Sequence, residues 1–463
     1  MRRTLAVLAF APALALLWPA VLFSDNPGTA REAPRSTPAA ATARRTAYVP
    51  QPSPRANYHP IVLVHGFLGF AEGGPAGLNY WGGRLDLPAA LRARGYEAWA
   101  VAVGPASSNW DRACELYAAI RGGRVDYGLA HAWTSGHERY GRAYPGVLPD
   151  WGEARRVHLL GHSMGGQTAR LLVQLLEEGD AAEAAVTPSG ELSPLFAGGH
   201  LGERAWVRSV TTLATPHDGT PVAYRFETAD PALRRLAALA YYRAVRAAVG
   251  GGRGARQAGG DARAGPSRTG GAARTLGLDL RLEAWGLAPE PGESLTRFRR
   301  RFAEAERWWR GRDTGLCDCS PEWARELNLR VAARPDVYYF SWATEQTTRD
   351  PLSGRQVPEP GMSFLLYSLA SFIGGQGSDP DWWPNDGIVS TCSMDGPSLG
   401  SADGIREYDG VPRAGVWNFM GVLHSFDHLD LIGLPSACAR PPGYASLTEF
   451  YAAIAGLLAG LPP

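Results

Sequence analysis

A serine flanked by glycines, in Gly161-His162-Ser163-Met164-Gly165, follows an apolar run at 157–160 and leads into a stretch of helical pattern at 168–176. Gly-x-Ser-x-Gly alone is a weak signal. Between a strand and a helix, however, it describes a sharp turn whose strained backbone projects the hydroxyl, with glycines where side chains would collide. Ser163 is therefore the candidate nucleophile. Such a serine needs donors for a developing oxyanion, and the motif predicts the Met164 N–H plus one from a loop after an earlier strand. His65-Gly66-Phe67-Leu68-Gly69 follows the apolar residues 61–64 and offers the Phe67 N–H. The general base and its orienting acid are expected in the chain order Ser, acid, His. After His217 the histidines are His424 and His428, and His428, in Phe426-Asp427-His428-Leu429, is the preferred base. Asp386 stands on a glycine turn in Asn385-Asp386-Gly387-Ile388-Val389, whereas Asp427 adjoins His428 and cannot easily reach its ring. Asp386 is the preferred acid.

The elements that would position these groups are short β-branched runs, at 61–64, 98–103, 157–160, 207–213 and 337–340, each followed by a helix-like stretch. That alternation is expected of an α/β fold, a mostly parallel sheet with helices on both faces. The 463 residues suffice for a large core, and 45% hydrophobic with 20% charged residues is a globular composition. A net charge of +1 gives no field directed at nucleic acid or anionic membrane. All 46 basic residues are Arg and none is Lys, which removes Schiff-base, phosphate-loop and kinase lysines and argues against nucleotide-driven chemistry.

Met1-Arg2-Arg3 and the apolar run at 4–23 have the layout of a secretory signal, so residues 1–25 read as a signal peptide. An uncleaved anchor is the alternative, disfavoured by Pro12 and Pro19. Residues 26–58, rich in Pro, Ala, Arg, Ser and Thr, read as a linker outside the fold, leaving 59–463 as one domain. The tract at 250–274 is Gly, Ala and Arg and reads as a flexible surface insertion. Before it, residues 231–249 have an amphipathic pattern suited to a helix packed on the core or to a movable lid. Cys114, Cys317, Cys319, Cys392 and Cys438 are an odd set in a long chain. A bond from Cys317 or Cys319 to Cys392 or Cys438, or unpaired thiols throughout, both fit.

Longer stretches carry a specific resemblance. They are Asn79-Tyr80-Trp81-Gly82-Gly83, Val103-Gly104-Pro105, Ser107-Ser108-Asn109-Trp110-Asp111-Arg112-Ala113-Cys114-Glu115, Val125-Asp126-Tyr127-Gly128, Ala214-Thr215-Pro216-His217-Asp218-Gly219-Thr220 and Asn385-Asp386-Gly387-Ile388-Val389. From His59 onward, apart from the 250–274 tract, the chain resembles the thermoalkalophilic bacterial lipases and the related staphylococcal lipases. These are zinc-containing true lipases of the α/β-hydrolase fold. The resemblance implies a Ser163–Asp386–His428 triad, oxyanion donors at Phe67 and Met164, and a lid over about 226–249. It implies a structural zinc on Asp111, His131, His137 and Asp313. From spacing alone His131 and His137 would read as solvated histidines, and Cys317 and Cys319 leave a thiolate as a competing ligand. It also implies a calcium near the catalytic histidine, at positions matching Gly361, Asp430 and Pro435. Asp430 replaces the family's Glu, and the family's Asp-Pro pair is Leu434-Pro435 here, so one carboxylate is missing.

The function so implied is a secreted, monomeric serine hydrolase cleaving acylglycerol esters at an oil–water interface. It would use no organic cofactor, nucleotide or nucleic acid. A short-chain carboxylesterase or acyltransferase on the same fold, or a catalytically silent surface protein, are the alternatives.

Overall fold

Parallel strands buried on both faces need near-continuous apolar sequence, and the runs identified above become such strands. The computed structural model describes residues 46–51, 53–70, 78–200, 202–227, 284–285, 294, 296–297, 300, 311–434 and 440–463. In chain order, the strands among them are β1 (Ile61–Val64), β2 (Ala98–Val101), β3 (Gly123–Asp126), β4 (Tyr140–Tyr144), β5 (Val157–His162), β6 (Val207–Leu213), β7 (Tyr338–Glu345), β8 (Thr347–Arg349), β9 (Gln356–Pro358), β10 (Ile405–Glu407) and β11 (Trp417–His424). Seven form one sheet, in the order β10-β11-β7-β6-β5-β1-β2. Every pairing within it is parallel.

Alternation along β1 shows how two cores arise from one sheet. Ile61 and Leu63 join a cluster with Trp342 and with Phe450, Ile454 and Leu458 of the C-terminal helix Leu447–Ala459. Val62 and Val64 face the other way, into a cluster with Leu159 and Val210 and with the helices Asn109–Arg121 and Met164–Glu178. The hairpin β3–β4 is antiparallel and lies outside the main sheet.

Two departures from the sequence reading stand out. β11 and β10 were not expected as strands. Asn418 and Gly421 interrupt the apolar pattern of β11, and the register shifts between Phe419 and Val422. Asn418 is nonetheless buried because its amide donates to the Tyr339 and Arg413 carbonyls. The linker expected over 26–58 is also shorter than its composition suggests. Ala47 N–H donates to Val422 O and Tyr48 N–H to Met420 O, adding this segment to the β11 edge. Asn57 is buried, with its Nδ2 donating to the Leu458 and Leu461 carbonyls at 2.8 and 2.9 Å. Its Oδ1 accepts from His59 N–H and lies 3.1 Å from His158 Nε2. Polar composition hid a segment whose side chains satisfy buried carbonyls.

Residues 1–45, 228–249 and 250–274 lie outside the described residues, and with them the leader, most of the expected lid and the Gly-rich tract. The helix Val222–Glu227 reaches residues 226–227, where the expected lid begins. Among the described residues no helix is long and apolar enough to cross a membrane. Cys114 and Cys319 are buried free thiols, and Cys438 is not among the described residues.

Asn57→Ala should lower unfolding free energy by on the order of 2 kcal/mol, because it strands two buried carbonyls. Chemical denaturation checks this, and an unchanged midpoint would return 46–58 to linker status.

Candidate active site and metal centre

Ser163 sits between β5 and the helix Met164–Glu178 at φ 56°, ψ −134°, a backbone conformation that residues with a side chain rarely adopt. Three hydrogen bonds hold it there. Ser163 N–H donates to Leu213 O at 2.9 Å, while its carbonyl accepts from Gly166 N–H at 3.0 Å and from Thr215 Oγ1 at 2.8 Å. The neighbouring glycines are steric necessities. A Cβ on Gly165 would lie 2.2 Å from Val64 O, and one on Gly161 2.5 Å from the Gly165 carbonyl carbon. A Cβ on Gly66 would lie 2.6 Å from Ser163 Cβ, so the loop after β1 presses against Ser163. That loop carries Phe67, and neither the Phe67 nor the Met164 N–H has a hydrogen-bond partner among the described residues.

Asp386 and His428 meet, with Nδ1 of His428 2.7 Å from Oδ2 of Asp386. The acid is fully buried and saturated with donors. Oδ1 accepts from Ile388 and Val389 N–H at 3.0 and 2.9 Å, and Oδ2 also accepts from Thr344 Oγ1 at 2.7 Å. The Gly387 turn, at φ +96°, brings these amides round the carboxylate. His428 N–H donates to the Asp386 carbonyl at 3.0 Å, a second tie between acid and base. Asp427 is engaged elsewhere, accepting from Ser363, Leu429 and Asp430 N–H.

His162, beside the nucleophile, has Nε2 3.1 Å from His428 O and its ring centroid 4.7 Å from that of His428. Base and elbow therefore adjoin. Burial, and then the charge of His428, hold His162 well below the usual imidazole range. Its Nδ1 lies 2.7 Å from the Tyr80 hydroxyl, which in turn accepts from Gly66 N–H at 2.9 Å. The sequence reading quoted Tyr80 and His162 inside motifs but assigned neither a role. Arg112 was equally overlooked. Its buried guanidinium donates to His65 O, to Gly104 O at 2.8 Å and to Thr168 Oγ1 at 3.0 Å. All three have their partners on other elements, so no local pattern in the sequence marked them.

Asp111, His131, His137 and Asp313 converge, each offering a ligand atom within 4.8 Å of the others. His131 Nε2 lies 3.2 Å from Asp111 Oδ1 and 3.4 Å from Asp313 Oδ1, and His137 Nε2 lies 3.6 and 3.5 Å from Asp111 Oδ1 and Asp313 Oδ2. Tetrahedral ligands about 2.0–2.1 Å from a zinc-sized ion are about 3.3–3.4 Å apart, so these edges suit one. Asp111 Oδ1, His137 Nε2 and Asp313 Oδ2 are buried without a hydrogen-bond partner, as metal-directed atoms would be. His137 Nδ1 faces Glu138 O at 2.8 Å, leaving the Nε2 lone pair for the ion. Burial alone would lower His131, but the facing Asp111 and Asp313 carboxylates raise it to about 10. Two carboxylates here await a cation. Neither Cys317 nor Cys319 belongs to the cluster.

The calcium positions are less complete. Asp430 lies within the 427–430 turn, whose Asp427 carboxylate takes Ser363 N–H of the segment after Gly361. Burial and the Asp427 charge push Asp430 up to about 8. Pro435 lies outside the described residues, and among the described residues the Asp111 group is the one metal-capable cluster of His, Cys, Asp and Glu.

A parallel sheet with a serine elbow after a central strand and an acid–histidine pair at the same end defines an α/β-hydrolase fold. The chain belongs to the family described as lipase-like, C-terminal domain, whose model matches residues 57–242 and 270–459. It is 36% identical over 414 residues to the lipase of Staphylococcus hyicus, covering 89% of this chain and 59% of that protein. Lipase 2 of Staphylococcus aureus is 34% identical over 403 residues, 86% of this chain and 53% of the relative. The chain thus spans between half and three-fifths of these curated relatives. Among solved structures, EstA of Clostridium botulinum matches at a TM-score of 0.73 and 36% identity, covering 97% of this chain and 98% of that one. The S. hyicus lipase structure matches at 0.72 and 36%, covering 88% and 97%.

If the four-ligand cluster holds an ion, exhaustive chelation should lower Tm by about 5 °C or more, with re-addition of a divalent metal restoring it. His137→Ala should begin at the lower Tm and ignore chelator. Identical melting of the wild type with and without chelator and metal would remove the metal reading.

Proposed function

We propose that the protein is a serine hydrolase of carboxylic esters, acting on acylglycerols as a lipase. The observation that carries this reading is the joint placement of a strained Ser163, an Asp386-paired His428 and two amides without partners among the described residues, on one sheet edge. In the first half-reaction Ser163 Oγ attacks the ester carbonyl carbon while His428 Nε2 takes its proton. Asp386 accepts from Nδ1–H and stabilises the imidazolium, and the Phe67 and Met164 N–H groups receive the oxyanion. Collapse of the tetrahedral intermediate breaks the ester C–O bond, and His428 returns the proton to the leaving alkoxide. Water then attacks the acyl-enzyme by the same route, releasing the fatty acid and restoring Ser163.

Zinc is the proposed ion at Asp111, His131, His137 and Asp313, a closed site with no open position for substrate. It would tie the insertion carrying both histidines to the segment at Asp313 and the helix Asn109–Arg121, a structural duty. Gly361 and Asp430 are too incompletely supported by carboxylates to carry a calcium proposal here. Export follows from the Met1-Arg2-Arg3 leader and its apolar run, and a lid over about 226–249 from the resemblance together with the amphipathic pattern at 231–249.

Initial rates on emulsified long-chain triacylglycerol and on a soluble short-chain ester, each with Ser163→Ala, test the proposal. Loss of at least about 1,000-fold in both assays is expected for the variant. Retained activity in Ser163→Ala would refute the assignment of the nucleophile. Ser163-dependent activity confined to the soluble ester would make this an esterase, and acyl transfer outrunning hydrolysis in added alcohol would make it an acyltransferase.

A further inference from the structure

We propose that Tyr80 and His162 are positioning residues, a two-side-chain relay that sets the oxyanion loop, the nucleophile elbow and the base in one register. The inference rests on the hydrolase reading above and deepens it, since both side chains are buried behind the elbow and act through the groups they hold.

Proton counting fixes the relay's direction. The His428 carbonyl can only accept, so His162 Nε2 carries the ring proton, and Nδ1 accepts from the Tyr80 hydroxyl 2.7 Å away, whose oxygen in turn accepts from Gly66 N–H at 2.9 Å. The Nε2–H donates to the His428 carbonyl at 3.1 Å. Gly66 precedes the oxyanion donor Phe67, His162 precedes Ser163, and His428 is the base. Three segments far apart in sequence are thereby joined by two side chains.

The joint is rigid as well as connected. Edge-on contacts hold the Tyr80 ring, with Phe70 at 5.8 Å and Trp81 at 5.5 Å between centroids. Gly66 has no slack, because Ser163 Cβ and the His162 carbonyl crowd the place of its missing side chain. Oxyanion donors must hold their geometry to roughly 0.5 Å to keep their effect. Removing the Tyr80 hydroxyl would leave Gly66 N–H and His162 Nδ1 buried and unpaired. The loop can then move to satisfy its amide, or His162 can shift its proton to Nδ1. In the second case Nε2 would face the His428 carbonyl lone pair to lone pair and release the base.

The test compares Tyr80→Phe with Tyr339→Phe, using p-nitrophenyl butyrate and a phosphonate ester that labels the active serine. Tyr339 is a matched control, a buried tyrosine near the start of β7 whose hydroxyl accepts from Arg334 N–H at 3.0 Å. Tyr80→Phe should lose about tenfold or more in kcat and in phosphonate labelling, with KM within about twofold. Tyr339→Phe should keep kcat while its Tm falls. The relay is wrong if Tyr80→Phe keeps kcat within about twofold whatever its Tm, if both variants lose kcat equally, or if the loss lies in KM alone. Should Tyr80→Phe fail to fold, nitrogen NMR of histidine-labelled wild type decides, with His162→Gln assigning the signal. A proton on Nε2 supports the relay, and a proton on Nδ1 overturns it. This arm needs no turnover, so it separates failure of the relay from failure of the hydrolase reading, which would appear as absent Ser163-dependent hydrolysis.

Discussion

Close backbone approach at the turn after β5 is the constraint on which the site depends. Ser163 at φ 56° is costly, by about 1–3 kcal/mol for such conformations, and would relax if its surroundings allowed. They do not, because the helix start lies against β1 and β6 at distances no side chain tolerates. Among the described residues the other non-glycine positive-φ positions are Leu68, Ala214 and Ser425, which follow β1, β6 and β11. Strain is thus gathered at the C-terminal edge of the sheet, where parallel α/β sheets place their ligands. The rest of the sheet, with its two apolar clusters, supplies the stability that holds this edge in place.

The helix Asn109–Arg121 links that edge to the metal cluster. Asp111 and Arg112 are adjacent and so point about 100° apart around the helix. One reaches the metal ligands and the other the loop after β1. Burial pulls the Arg112 guanidinium down to about 10, which leaves it charged at neutral pH. A buried cation bonded to two carbonyls and a hydroxyl holds those groups firmly, since leaving it unsatisfied would cost far more than the bonds return. Glu115, one turn further, accepts from Gly104 N–H and Tyr127 Oη and completes the polar seam between this helix and the β2 end. An ion held by Asp111 would therefore steady the same helix whose Arg112 holds the loop after β1.

Much of this was legible in the chain. Strands β1, β5 and β6 follow from apolar runs of the right length, and the elbow from glycines around a serine between strand and helix. The order Ser, acid, His narrowed the partners to a few candidates. What escaped the reading shares one physical origin. β11 hides Asn418 because its amide is satisfied by carbonyls distant in sequence, and residues 46–58 look like linker until Asn57 meets the last helix. Tyr80, His162 and Arg112 are polar groups whose partners lie on other elements, so no local pattern marks them.

Sequence by itself determined the local chemistry: which residue is the strained serine, which glycines surround it, where apolar runs demand burial, and that no lysine chemistry is available. These are decided by sterics and hydrophobicity within a few residues. Only the tertiary structure decided that Asp386 and not Asp427 pairs with His428, that two aspartates and two histidines converge into a metal-sized cage, and that Tyr80 spans the loop and the elbow. Each of those depends on groups tens to hundreds of residues apart being brought to within hydrogen-bond or ligand distance. Local periodicity carries no information about which buried donor will meet which acceptor.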